Sequence, residues 1–439
     1  MGNRTEPGLG LLSCTALLVG GLIGSAIFSL SGLTICMAGP AAMLSWVIGG
    51  AIMLMYGMFM AELACVFPYS GGVYVFPSLV YGGSRGRLLG WLACWGAILT
   101  NISAIAFGAI YVGIYLSLAF PWAGNLQVPM ALVSILLCLA LNLVKFSTTG
   151  KVNACIVIVL LGTMAVYMAA AFGRQYDPHL LLPFFTQGVG GRLGFLSSVP
   201  IAMVGYSAII AIAFMVSEVR KPRRTVPLSM LLAIGIVMLV YLLMILATLG
   251  LMTAKELAEK PELRFIPIFA ACTTKLHSLP WLPPVVSIST VLALMTTILI
   301  CVSMNARAIQ ASAQDGILPK FLAGTLSNGE PATAAILTSL LAGLCACFPQ
   351  FTSQIVNLGT LFNVITIIIT ISALIQARRR GMIPADAFHA PGGTFLPYII
   401  LLLLVLCNLS ALLAGGITIW LFTAILMAVG LPFFYFRRT

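Results

Sequence analysis

The chemistry open to this chain is limited by where its titratable side chains fall. The ten carboxylates are Glu6, Glu62, Asp177, Glu218, Glu256, Glu259, Glu262, Asp315, Glu330 and Asp386, and the three histidines are His179, His277 and His389. All lie in polar stretches or at the ends of apolar runs, so the middle of each run lacks a carboxylate, a histidine and a lysine. Enzyme sites gather acids, bases, nucleophiles or metal ligands within reach of one another. Proton relays inside a membrane need buried ionisable groups. The pattern argues against an enzyme and against a proton pump with a carboxylate at mid-depth, and it offers no catalytic residues. The eleven cysteines fall mostly inside apolar runs, and the one close pair, Cys345 and Cys347, has no histidine or carboxylate nearby. They read as small buried hydrophobes, with no metal site, no cofactor and no disulfide framework.

What remains is the backbone. The stretch VGGLIGSAIF, Val19 to Phe28, places Gly20, Gly21, Gly24 and Ser25 inside an apolar run. Glycine in a helix interior costs roughly 1 kcal/mol against alanine. A helix broken at mid-depth exposes N–H groups that suit a carboxylate and carbonyls that suit an ammonium. Irregular backbone at membrane depth is tolerated where it lines a cavity. Amides around Gly24, Ser25 and Ala26 are therefore candidates to hold an anionic group. The same glycines also fit a second reading, close helix packing through small residues. A weaker signal of the same kind is VGYSAIIAIAF, Val204 to Phe214, with Gly205 and Ser207.

The elements that must position these stretches are membrane spans. The 439 residues are 61% hydrophobic and 7% charged, with mean hydropathy +1.11. Soluble domains carry about 25% charged residues. Runs of about 20 apolar residues read as spans. Twelve are predicted, near 10–37, 41–66, 88–119, 128–147, 152–173, 194–217, 227–251, 284–308, 332–348, 354–376, 395–414 and 417–436. With the amino terminus in the cytoplasm, 16 of the 22 basic residues fall on the cytoplasmic side and 6 on the outer side. That is the positive-inside bias, and it places both termini in the cytoplasm. The net charge of +12 is thus topogenic rather than a nucleic-acid stripe, and the bilayer is the expected partner. Residues 68–83 predict a short interfacial helix, and 309–330 a cytoplasmic loop with helix at its start.

Five stretches in this order resemble the amino acid–polyamine–organocation superfamily of transporters. They are VGGLIGSAIF, then AELACVFPYSGGVYVF (61–76), SEVRKPRRTVP (217–227), NARAIQASAQDGILP (305–319) and LGTLFNV (358–364). The resemblance covers most of the chain. It implies an all-α polytopic membrane protein of twelve transmembrane helices, with a five-plus-five inverted repeat. The first and sixth spans would be broken and two extra helices would follow. In one transmembrane domain, 1–439, the repeats would occupy about 10–173 and 194–376, and the extra helices 395–436. It further implies alternating access for amino acids or amines, by secondary active transport or exchange, in the plasma membrane, which in a bacterium is the inner membrane. Carried over, the substrate contacts are Val19, Gly20, Gly24, Ser25 and Ala26, then Tyr206, Ser207, Ala208 and Ile209, with Cys301 and Ser303 approaching.

The chain also departs from that pattern. Ile210 stands where many relatives carry an acid, Val204 where a gating aromatic is common, and Leu160 where some carry a lysine tied to proton coupling. A dication at mid-membrane would be left unpaired, whereas two opposed helix ends satisfy a zwitterion. Neutral amino acids are therefore the expected substrate, with a cationic amino acid or polyamine antiporter as the alternative. The loop PWAGNLQ (121–127) lacks the cysteine through which other members bind a glycoprotein, so no disulfide-linked partner is expected. Glu62 and Glu218 are gate candidates that could pair with basic loop residues, Arg307 among them, or stand solvated. Asn101, Asn142 and Asn363 are expected to bond between helices rather than to contact substrate.

Overall fold

In hydrocarbon every backbone N–H and C=O must be paired within the chain, and a helix does so inside one segment. The computed structural model describes residues 9–24, 26–67, 72–144, 146–214, 219–260, 263–327, 329–385, 387–415 and 417–436, and the described residues are almost entirely helical. Ser25 and Glu218, singled out above, lie outside them.

Helices α1 (Leu11–Leu22) and α2 (Ala26–Ala38) share one apolar run, and a 3-10 turn at Gly39–Ala41 leads into α3 (Ala42–Val66). Next come α4 (Gly72–Tyr81), α5 (Gly83–Ala119), α6 (Gln127–Asn142) and α7 (Phe146–Arg174). The helices α8 (Gly194–Val204) and α9 (Ala211–Phe214) flank a 3-10 segment, Ser207–Ile210. Then follow α10 (Pro222–Leu249), α11 (Ala254–Glu259), α12 (Pro267–Lys275) and α13 (Leu282–Gln314). The chain closes with α14 (Ala332–Ala346), α15 (Thr352–Arg379), α16 (Phe395–Gly415) and α17 (Ile417–Phe436). Among the described residues, eight helical stretches are long and apolar enough to cross a membrane, and four more apolar helices are shorter.

The short helix expected within 68–83 is α4, just before α5. The stretch between α10 and α13, by contrast, contains α11 and α12, which the apolar pattern did not predict. Helix α11 starts on a reciprocal cap: Thr253 Oγ1 accepts from Glu256 N at 3.2 Å, and Glu256 Oε2 accepts from Thr253 N at 2.7 Å.

Two packing groups position the site. Helix α5, 37 residues long, runs against α13, α15, α6 and α14. At about 1.5 Å per residue it exceeds the hydrocarbon thickness of about 30 Å. Two indoles of α5 fix α17 to it, Trp91 donating to Gly430 O at 2.7 Å and Trp95 to Leu426 O at 2.9 Å. The second group joins α1 to α10, α3 to α8 and α10, and α2 to α8. Asn101 reaches Asn305 at 3.4 Å, and Asn142 reaches Leu299 O at 3.1 Å, so both bond between helices as expected.

Candidate functional site at two interrupted helices

The first interruption begins where α1 ends. Ile23 leaves helical geometry (φ −74°, ψ 83°), though its N–H still reaches Val19 O at 2.8 Å. Gly24 N turns to Leu22 O, also at 2.8 Å, instead of continuing the ladder to Gly20 O. Helix α2 then restarts at Ala26, and the N–H groups of its first turn have no acceptor within the helix. The glycine-rich stretch thus interrupts its span between 22 and 26, where the sequence suggested.

The second interruption is a tightening rather than a gap. After Val204, Gly205 N donates to Ala202 O and Tyr206 N to Met203 O, each at 3.0 Å, and Ile209 N donates to Tyr206 O at 3.2 Å. Ser207 Oγ turns back to Val204 O at 2.9 Å.

The two interruptions lie side by side. A Cβ on Gly21 would stand 3.4 Å from that of Ala208, in ordinary contact. Tyr241 of α10 spans them, its hydroxyl donating to Leu22 O at 2.5 Å and lying 3.5 Å from Gly205 O. Trp46 of α3 meets Tyr241 and Tyr206 edge-on, at centroid separations of 5.0 and 5.8 Å, and the two tyrosines lie 5.4 Å apart. Trp46 is itself fixed by Thr34, whose Oγ1 accepts from Nε1 at 2.9 Å. Helix α3 admits Tyr206 and Ile209 because it carries glycine there. A Cβ on Gly50 would meet the Tyr206 ring at 3.2 Å, and one on Gly57 would meet Ile209 at 3.1 Å. On the other flank, α13 brings Thr297 Oγ1 within 2.7 Å of where a Gly24 Cβ would sit.

Of the expected contacts, Val19, Gly20, Gly24, Ala26, Tyr206 and Ile209 are buried at or beside the interruptions, with Ser207 and Ala208 half-buried. The Tyr206 ring faces α3 and α10, within the aromatic group. Cys301 is one turn from Thr297 on the same helix face. Ser303 belongs elsewhere: with Asn142, Glu330 and Pro331 it lines a crevice between α6, α13 and the start of α14. Trp46, Tyr241, Thr297 and Gly57 were not anticipated. Tyr241 carried one usable signal, since a phenol deep in an apolar run must find a partner.

Contacts between distant segments lie at both ends of the bundle. At the end of the molecule that carries α11 and α12, Phe265 packs on Phe107 and Tyr111 of α5 at 5.9 and 5.4 Å. At the other end lies Glu62, in the last turns of α3 and fully buried rather than solvated. Of the basic residues near span ends it is Arg378 of α15 that pairs with it, and His389 Nδ1 lies 3.8 Å from Oε1. Arg378 Nε donates to Oε1 at 2.9 Å and Nη2 to Oε2 at 2.5 Å, while Ala390 N donates to Oε2 at 2.7 Å. The end of α15 and the loop after it fold over the carboxylate, and Arg307 is exposed on α13. Near the same end, Leu9 and Val219 form an isolated parallel bridge, with Arg220 N on Leu9 O at 3.0 Å, tying the entry to α1 to the start of α10.

A helical membrane-crossing bundle with paired interruptions in its apolar core defines a polytopic membrane transporter. The family described as amino acid permease matches residues 9–436, and the chain belongs to it. An uncharacterised transporter of Mycobacterium tuberculosis is 30% identical over 72% of this chain and 68% of its own length. The branched-chain amino acid permease BcaP of Bacillus subtilis is 24% identical over 98% of this chain and 93% of its own. A mitochondrial cationic amino acid transporter of Arabidopsis thaliana is 26% identical over 85% of this chain and 62% of its own. These relatives are transporters, and the chain is an amino acid permease rather than an enzyme.

Proposed function

We propose that the chain moves neutral, zwitterionic amino acids across the plasma membrane by alternating access, as an exchanger or secondary carrier. The observation that carries this reading is the pair of adjacent helix interruptions bridged by Tyr241. Among the described residues, the side chains placed around them are Trp46, Tyr206, Ile209, Tyr241, Thr297 and Cys301, none a carboxylate or an amine. Opposed helix ends match the carboxylate and ammonium of one zwitterion. A second ammonium would meet no counter-charge and would be costly to bury. The names of relatives divide between branched-chain and cationic amino acids, and the apolar lining of the site supports the neutral reading. The same reading takes the helices as twelve spans, ten of them in two inverted repeats, with the basic end in the cytoplasm.

Counterflow into liposomes containing the purified protein tests it. Labelled leucine is expected to enter vesicles loaded with neutral amino acids and not vesicles loaded with putrescine or left empty. Entry of labelled arginine driven by internal amine would overturn the neutral reading. Movement only under a sodium or proton gradient would overturn exchange.

A further inference from the structure

Ser303 and Arg307 of α13 belong neither to the interruptions nor to the Glu62 pair. Ser303 lines the crevice between α6, α13 and the start of α14, and that crevice has room for about one group the size of a water molecule. Three segments each bring oxygen to it. Asn142, the last residue of α6, commits both amide hydrogens, donating to Cys138 O at 2.9 Å and to Leu299 O at 3.1 Å, so its side chain is left to offer Oδ1. Ser303 offers a hydroxyl, with two acceptor lone pairs. Glu330, half-buried just before α14, offers a carboxylate, with about four acceptor positions. Leu143, Ala306 and Ala335 add apolar surface. Close by along the chain, Leu141 and Val144 at the end of α6 and Ile336 and Leu340 of α14 are exposed. Asn142 ends its helix and Pro331 precedes the next, so the crevice lies where the helices leave the apolar layer.

We propose that this crevice is a lipid site, which holds the primary ammonium of an ethanolamine headgroup. The inference goes beyond the transport reading and rests only on the helices lying in a membrane. A primary ammonium presents three N–H donors, and Asn142, Ser303 and Glu330 present acceptors from three sides. Taking the charge out of water requires a counter-charge and filled hydrogen bonds, and the Glu330 carboxylate supplies the first. A trimethylammonium has no N–H to donate and is larger than the crevice. The other half of the headgroup is a phosphate. Arg307, exposed and one turn beyond Ser303, and the amino-terminal end of α14 both favour an anion beside the crevice. Acceptors inside and positive charge alongside suit a zwitterionic headgroup better than an anionic one. The exposed Leu141, Ile336 and Leu340 then offer apolar surface to the acyl chains. A soluble amine would gain the ammonium contacts alone, so the lipid is the better occupant.

The test is lipid retention by the purified full-length protein. Delipidated protein is offered equal amounts of phosphatidylethanolamine and phosphatidylcholine with identical acyl chains. Native mass spectrometry then reads which lipid the singly occupied protein holds. The two lipids carry the same net charge and differ only in the methyls on nitrogen, so general attraction to basic surface cancels. The parent is expected to favour phosphatidylethanolamine about tenfold, the equivalent of one charge-assisted hydrogen bond. Glu330→Gln is expected to bring the ratio close to parity, and Ser303→Ala to lower it part of the way. Equal retention of both lipids by the folded parent overturns the proposal, and so does a parental ratio in both variants. If Glu330→Gln fails to fold, Ser303→Ala decides alone, since it removes one hydroxyl from a half-buried position, and an unchanged ratio there overturns the site. Glycerophosphoethanolamine, which keeps the headgroup and lacks acyl chains, separates a lipid from a soluble amine. It is expected to displace the bound lipid only weakly, and displacement at equal concentration would overturn the lipid assignment. No transported substrate is present, so a failure of the transport reading shows separately, as absent counterflow.

Discussion

Gly24 is the residue on which the first interruption turns. Its N–H leaves the helical ladder, and Thr297 Oγ1 occupies the space a side chain would need, 2.7 Å from an added Cβ. Gly24→Ala is expected to reduce leucine exchange at least about tenfold, an effect of roughly 1.4 kcal/mol. Because the obstruction is one hydroxyl, Thr297→Ala in the same chain is expected to restore part of that loss. A double-mutant cycle of initial exchange rates measures the coupling, and strict additivity would show that the two residues do not meet. The contact could not be read in advance, because Thr297 lies in a run where threonine, serine and cysteine recur without a pattern that marks one of them. Glu62 was visible as a carboxylate at a span end, but its partner lies 316 residues away among several other arginines. Only the folded chain selects Arg378.

At the scale of elements, legibility followed local physics. The first interruption shows in the sequence because three glycines within five residues weaken a helix. The second shows faintly, since a shift into 3-10 geometry requires little beyond Gly205 and a backbone-bonded Ser207. Helix α11 was missed although Thr253 and Glu256 carry the spacing of a capping box, because a six-residue polar helix leaves no apolar period. Its cap makes a pH prediction. Partial burial opposes ionisation of Glu256, but the Thr253 N–H and the Lys275 ammonium, 3.0 Å away, outweigh it and hold the carboxyl below its usual range. The stabilisation is therefore present above the unfolded glutamate value of about 4.3 and is lost as pH falls through the lower folded value. Wild type is expected to melt slightly above Glu256→Gln at pH about 7, with the gap closing near pH 3 and shrinking in high salt. A gap that persists in acid would contradict the assignment. Tyr241 joins elements rather than capping one. Tyr241→Phe removes both approaches to the interrupted spans, to Leu22 O and Gly205 O. It is expected to lower thermal stability by about 1 kcal/mol and to slow exchange by more than that loss accounts for. Exchange at the parental rate would show that the two interruptions do not depend on the bridge.

Among the described residues, two packing groups meet around the interruptions, with Phe265 packed on α5 at one end and Glu62 bonded to α15 at the other. The sequence disclosed the membrane bundle, the first interruption and the family, since these follow from composition, glycine content and ordered motifs. It could not disclose how the groups meet, which depends on contacts between distant residues such as Trp46, Tyr206 and Tyr241. The central claim is that two helix interruptions read both charges of one zwitterion. The direct measurement is equilibrium competition against labelled leucine on the purified protein, using isoamylamine, which lacks the carboxylate, and 4-methylpentanoate, which lacks the amine. Each lost charge-assisted contact is worth about 1.5–3 kcal/mol, so each analogue is expected to compete at least about tenfold more weakly than leucine. Isoamylamine competing as well as leucine would show that the α2 end of the first interruption does not hold the carboxylate, and the account would fail.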